Sequence, residues 1–239
     1  MSNINIDIKP TGTESVYIEA PFDKGKKALE DKGYKLISLH DNALLRIQQG
    51  KNHDISRNGN WVREGVLYVP NKGRFLTKNS PIMDNAKETT ACHRKGEDFY
   101  LTEEQVEEAL KDSIKLESKP IPTNRFKDDD ITAFAFGDVA EDYGLFLKDA
   151  EIEVMPIWLA DIQEKPFAKQ IWFSDLGNGS GLNGGRSLYC GNGVRGVRYA
   201  ESVAQNAGQL YSSAQITKAL NNLGISGSLE QQIFKTLDK

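Results

Sequence analysis

The alternation of apolar and polar positions predicts where this chain is strand and where it is helix. Ile4, Ile6 and Ile8 alternate with polar residues over 3–9, the period of a half-buried strand. Residues 34–39, 61–69, 131–136, 152–159, 167–173 and 194–199 read as further strands, with Pro70, Asn71 and Gly73 breaking the third of these seven. Short helices are expected over 22–32, ending at Gly33, and over 41–49, where Leu44, Leu45 and Ile47 cluster. The clearest helix starts at Thr102, which forms a capping box with Gln105 ahead of Val106, Ala109, Leu110 and Ile114 on one face. Asp138 is placed to cap another, carrying Val139, Tyr143 and Leu147. Residues 53–60 are polar and turn-rich, and 117–130, with Pro120, Pro122 and an acidic run, read as a loop. Past Ala200 the composition shifts to Ala, Gln, Asn and Ser, and two amphipathic helices are expected, the first stopped at Gly224 and the second capped by Ser228. Interspersed strands and helices of this kind make an α+β domain over 1–200 with a helical extension over 201–239.

Composition narrows the function classes. The 239 residues carry a net charge of -4, which favours neither a nucleic-acid surface nor a polyanionic tail. No apolar run is long enough to span a bilayer, and the opening MSNINIDIKP lacks the basic-then-apolar order of a secretory signal. Two cysteines, Cys92 and Cys190, make no disulfide framework, so a cytoplasmic or virion-associated protein is expected. Neither a cofactor nor a metal is expected. Cys92–His93 has no second pair at zinc spacing, and Asp128, Asp129 and Asp130 lack the spaced ligands of a calcium loop. His40 beside Asp41 and His53 beside Asp54 have no nearby nucleophile and read as loop residues.

One segment departs from the rest. Between Phe173 and Ala200 there is no Lys, Glu, Gln, Met or Trp. Independent draw leaves such a gap on the order of one time in a thousand, so composition alone singles the segment out. Leu176, Leu182, Leu188 and Val194 recur every six residues within it, with small or polar residues between. Regular anchors argue against a flexible linker. Gly179 to Gly184 formally matches a dinucleotide fingerprint, but more glycines follow where a phosphate site needs a helix N-terminus. No Lys follows the glycines as a P-loop requires. The segment is therefore expected to be a displayed binding surface.

The phrases Ile171-Trp172-Phe173, Ser180-Gly181-Leu182, Ser187-Leu188 and Val194-Arg195-Gly196-Val197-Arg198 resemble the variable proteins of diversity-generating retroelements, most of all their archaeal branch. Upstream, Ser56 to Trp61, Gly73 to Thr77 and Ile121 to Phe126 extend the resemblance over about residues 30–200. It implies a C-type lectin fold, with small antiparallel sheets, two helices and long irregular loops. It also implies a hypervariable region over about 173–193, produced when a reverse transcriptase corrupts template adenines. Asparagine codons altered in that way never encode Lys, Glu, Gln, Met or Trp, in agreement with the gap above.

On this resemblance Trp172, Leu176, Leu182, Leu188, Val194 and Val197 are core anchors, and Arg195 and Arg198 tie loop carbonyls. Ser174, Asp175, Gly177, Asn178, Gly179, Asn183, Gly185, Arg186, Tyr189, Cys190 and Asn192 face solvent as variable, ligand-binding positions. Tyr189 and Arg186 are the expected energetic anchors, by analogy with antibody loops and interface hot spots. The partner is an unknown protein or glycan, with no nucleic acid and no membrane insertion, and the oligomeric state stays open. Two other readings stand beside this one. An enzyme related in shape to formylglycine-generating oxidases would use Cys92 and Cys190. A structural or assembly protein would use its helical tail.

Overall fold

The structure is a computed structural model that describes residues 8–10, 15–189 and 193–198. The two tail helices expected after residue 200, Cys190 and Asn192 lie outside the described residues, as does most of the first expected strand. The described residues belong to one compact unit, Met1–Arg198.

Two long strands form its centre. Asn60–Val69 and Phe167–Phe173 run antiparallel, in register from Phe167 opposite Tyr68 to Phe173 opposite Asn60, with a bulge between Gln170 and Trp172. Gly193–Val197 joins the other side of Asn60–Val69 through a parallel contact and pairs antiparallel with Ser15–Glu19. At the far edge, Leu182–Asn183 pairs with Phe173 and Trp172, then runs parallel to Ile157–Trp158. The sheet is thus mostly antiparallel, and the unusual segment enters it twice. Among the described residues five helices of eight residues or more pack around it, so the chain carries helices beyond the pair that the resemblance implies.

Both faces of the central strands are buried, and strand alternation sorts their side chains. Val62, Val66 and Tyr68 join a cluster with Phe136, Tyr143, Phe167, Ile171 and Phe173. Trp61, Leu67 and Val69 point the other way, onto Phe22, Leu29, Trp172, Leu188 and Val194. Phe22, Trp61 and Trp172 meet edge to face, with ring centroids 6.2 and 5.3 Å apart.

Several expected elements take a different form. Residues 131–136 are helical, within Asp130–Phe136, because the Asp129 carboxylate accepts the N–H groups of Ile131 and Thr132. A short apolar run fits strand and buried helix equally by period, and this cap decides it. The helix Ala140–Asp149 has no side-chain cap, contrary to the expectation for Asp138. Val139 precedes the helix Ala140–Asp149, and Asp138 pairs with His40 at 2.9 Å instead. Ile114 lies in the strand Ser113–Lys115, because the capped helix stops at Leu110. Pro156 separates residues 152–159 into the pairs Val154–Met155 and Ile157–Trp158. Of residues 34–39 only Lys35–Leu36 is strand. The strand Gly73–Thr77 and the helix Ala86–Arg94 carry too little apolar periodicity to be seen in sequence.

Alternation also buries a charge-bearing residue. Glu64 shares the face of Val62 and Val66 and is 2% exposed. Its carboxylate accepts the Leu39 N–H at 3.0 Å, which fixes the start of the helix Leu39–Gln49. Burial pushes its pKa up to about 7, although Arg63 opposes the shift. A carboxyl raised in this way binds a proton in the fold that the unfolded chain has released. Its contribution is complete below about pH 4.5 and is lost as pH rises to about 7. Glu64→Gln keeps an acceptor for Leu39 and removes the titration. Denaturant unfolding across pH should show the variant gaining on the wild type by roughly 1–3 kcal/mol between pH 4.5 and 8.

Candidate functional site

The segment after Phe173 leaves the sheet, turns and returns within eight residues. The Asp175 side chain accepts the Asn178 N–H at 3.0 Å and so caps a single 3-10 turn, Leu176–Asn178. Ser174 donates to the Gly181 carbonyl at 3.0 Å, and Ser180 to the Asp175 carbonyl at 3.0 Å. Leu182–Asn183 is a strand, so no helix opens after Gly179–Gly184 and no phosphate cradle forms there.

Arg46, on the helix Leu39–Gln49, holds this turn from below. It is fully buried. Its guanidinium donates to the Ser174 carbonyl at 2.9 Å, Ser180 Oγ at 2.8 Å, Tyr143 Oη at 3.1 Å and the Ile55 carbonyl at 3.1 Å. It also lies over the Phe173 ring, 4.3 Å from the centroid. Among the described residues no carboxylate forms an ion pair with it, so four neutral oxygens and a ring face carry the charge. Ser180 is left-handed at φ 54, an arrangement that side chains seldom adopt. Its hydroxyl, shared with Arg46 and Tyr143, keeps it there.

Further anchors follow along the segment. Tyr68 donates to the Gly184 carbonyl at 3.0 Å, and Gly184 donates to the Trp158 carbonyl at 2.9 Å. A Cβ at Gly184 would lie 2.8 Å from Tyr68 Oη, so only glycine fits this approach. Leu188 donates its N–H to His93 Nδ1 at 3.1 Å and accepts from the Phe22 N–H at 3.0 Å. His93 must be neutral at Nδ1 to accept. Burial first, and the Lys169 ammonium second, lower its pKa to about 4. Lys169 is itself paired with Asp98.

The residues expected as anchors are mostly buried. Leu182, Leu188, Val194, Val197 and Trp172 are buried, and Leu176 is half-buried against the core. Arg198 donates to the Lys32 carbonyl and stacks on Tyr34. Arg195 is fully buried, pairs with Asp54 at 2.7 Å and lies over Tyr17. A carboxylate is thus one of its partners, where loop carbonyls were the expectation.

The expected variable positions divide. Gly177, Asn178, Gly185, Arg186 and Tyr189 are exposed, and Asp175 and Asn183 are half-exposed. Ser174 is only 4% exposed, because the Arg46 contact draws its backbone inward. Gly179 is also restricted. Its φ is +66, and a Cβ would meet Pro156 at 3.0 Å, whereas at Gly185 the nearest atom is 3.6 Å away.

These residues surround a cleft of about 650 Å³. Ser174, Asp175, Asn178, Asn183 and Arg186 line one part of it, and Tyr17, Arg57, Asn58, Gly59, Trp158 and Trp172 complete it. The Arg186 guanidinium lies 4.5 Å above the Trp172 ring. Sequence reading missed Tyr17, Arg57 and Trp158, which come from distant elements, and it missed Arg46. An arginine inside an otherwise apolar helical stretch was the one available signal. His40 and His53 sit at helix starts, His53 accepting the Ile55 N–H, and the residues 54–57 form one further helical turn. Among the described residues no three His, Cys, Asp or Glu side chains are grouped to hold a metal, and no helix is long and apolar enough to cross a membrane.

A sheet that projects an anchored, irregular loop from its edge has a known counterpart. The chain superposes on a solved structure described as "Accommodation of massive sequence variation in Nanoarchaeota by the C-type lectin fold". The TM-score is 0.56 at 17% identity, over 80% of this chain and 100% of that one. The fold is the C-type lectin fold. No family model matches the sequence, and no curated protein matches it. The C-type lectin fold thus supplies the sheet, and Arg46 adds a buried clasp beneath its loop.

Removing that clasp strands four oxygens in the interior. Arg46→Met should lower unfolding free energy by roughly 3–5 kcal/mol in denaturant titrations, and Arg46→Lys should recover less than half of it, since an ammonium lacks the guanidinium fork.

Proposed function

We propose that this chain is a non-enzymatic binding protein that displays a hypervariable surface, diversified by a retroelement, to a protein or glycan ligand. One observation carries the reading. The segment that lacks Lys, Glu, Gln, Met and Trp coincides with the loop whose backbone is held at buried points while its other side chains face outward. The holding contacts come from Arg46, Tyr68 and His93, all outside that segment. Apart from Ser180, whose hydroxyl Arg46 uses, and Gly184, where only glycine fits, its residues can change without touching them.

The structural neighbour, described as accommodating massive sequence variation, supports the same reading by analogy of fold. The resemblance points to the archaeal branch, and a cytoplasmic or virion-associated location, as read from the two cysteines, belongs to the same proposal. The decisive observation is genetic. The locus should hold a near-copy of the segment encoding Trp172–Arg198, differing mainly at adenines, beside a reverse transcriptase gene. A locus with neither contradicts the proposal.

A protein built for exchange should also tolerate it. The triple substitution Asn178→Ser, Arg186→Ser and Tyr189→Ser should change unfolding free energy by less than about 1 kcal/mol. Leu182→Ala or Leu188→Ala should cost about 2–5 kcal/mol each in the same titration.

A further inference from the structure

Among the described residues, the uncommitted charge in the cleft is positive. Arg57 and Arg186 both line it, both are exposed, and among the described residues neither forms an ion pair or donates a hydrogen bond to a carbonyl or carboxylate. The carboxylate beside them, Asp175, is occupied within its own turn by the Asn178 N–H and by Asn178 Nδ2 at 3.0 Å. A chain of net charge -4 therefore presents two planar cations at one concavity. Stacking on Trp172 fixes the plane of Arg186 and leaves its N–H edges available for a bidentate acceptor.

The cleft also offers an exposed apolar side chain. Trp158 lines it and is 42% exposed, and the neighbouring Pro156 backs Gly179 and Gly181. Sugar hydroxyls are recognised by balanced donors and acceptors, and here the donors dominate because Asp175 is already engaged. Arginine beside exposed tryptophan is instead the composition of a protein-binding hot spot.

Building on the display function proposed above, we propose that this cleft takes an acidic peptide segment of a protein partner. An Asp or Glu carboxylate sits between Arg57 and Arg186, and an adjacent apolar side chain lies against Trp158. Charge complementarity chooses the occupant, and the salt dependence of binding follows from it.

The test is selection of short random peptides, displayed on phage, against the full chain. Each selected peptide is then titrated against the wild type, an Arg57→Glu/Arg186→Glu variant and a Trp158→Ala variant. All three substituted side chains are surface-exposed, and thermal melting checks that the variants fold. The expected result is enrichment in Asp and Glu, with affinity falling about tenfold or more on charge reversal and falling as salt rises. Peptides that lose binding in Trp158→Ala yet show no acidic enrichment overturn the ligand class and leave the display function standing. Peptides indifferent to both variants overturn the ligand class and the display function of this cleft together. Failure to select any peptide, with binding of a sialylated oligosaccharide instead, overturns the choice of a peptide while keeping an anion site.

Discussion

A single buried guanidinium determines how the loop side of this protein is built. Arg46 has to place a positive charge where water cannot reach it, and among the described residues it does so without an ion pair. Desolvating a charge costs several kcal/mol unless every donor finds an oxygen. Arg46 meets that demand with two backbone carbonyls, a serine hydroxyl, a phenol and the face of Phe173. The partners come from three parts of the chain, at Ile55, at Tyr143 and along residues 173–180. Satisfying one side chain therefore fixes the end of the central strand, the turn after it and two helical segments together. The left-handed Ser180 is a consequence: its hydroxyl is needed where Arg46 and Tyr143 converge.

The same logic repeats along the segment with weaker groups. Tyr68 holds Gly184, and His93 holds Leu188. In each case the segment contributes a backbone atom and the rest of the chain contributes the side chain. Backbone atoms are common to all residues, so the Leu188 contact does not depend on its side chain, whereas the Tyr68 contact requires glycine at 184. His93 differs in being titratable. Its neutral form accepts from Leu188, and stability from this contact is complete above about pH 6.5 and declines as pH falls toward about 4. Glu64 runs in the opposite sense over part of that range, so the wild-type pH profile sums two opposed slopes.

The α+β class, the central strands and the anchors were legible in sequence because they depend on local periodicity. Leu182, Leu188 and Val194 were marked by their spacing and are buried. The capping box at Thr102 and Gln105 was legible because two residues three positions apart specify it. The helix Asp130–Phe136 was not, because a seven-residue apolar stretch has no decisive period. The cleft itself was half legible. Asp175, Asn178, Asn183 and Arg186 stood out by composition, whereas Tyr17, Arg57 and Trp158 reach it only through tertiary pairing. Ser174 and Gly179 show the limit of composition. Both look replaceable, yet one is drawn inward and the other is left-handed against Pro156.

The central claim is that this segment is rigid at its backbone while open in its side chains. Native-state amide hydrogen exchange tests it most directly. The amides of Ser180, Gly184 and Leu188 donate within the fold and should exchange as slowly as those of the central strand Asn60–Val69. The exposed residue Arg186, lying between two of these anchors, should exchange far faster. Fast exchange at Ser180, Gly184 and Leu188 alike, at the rate of an unstructured loop, would contradict the account.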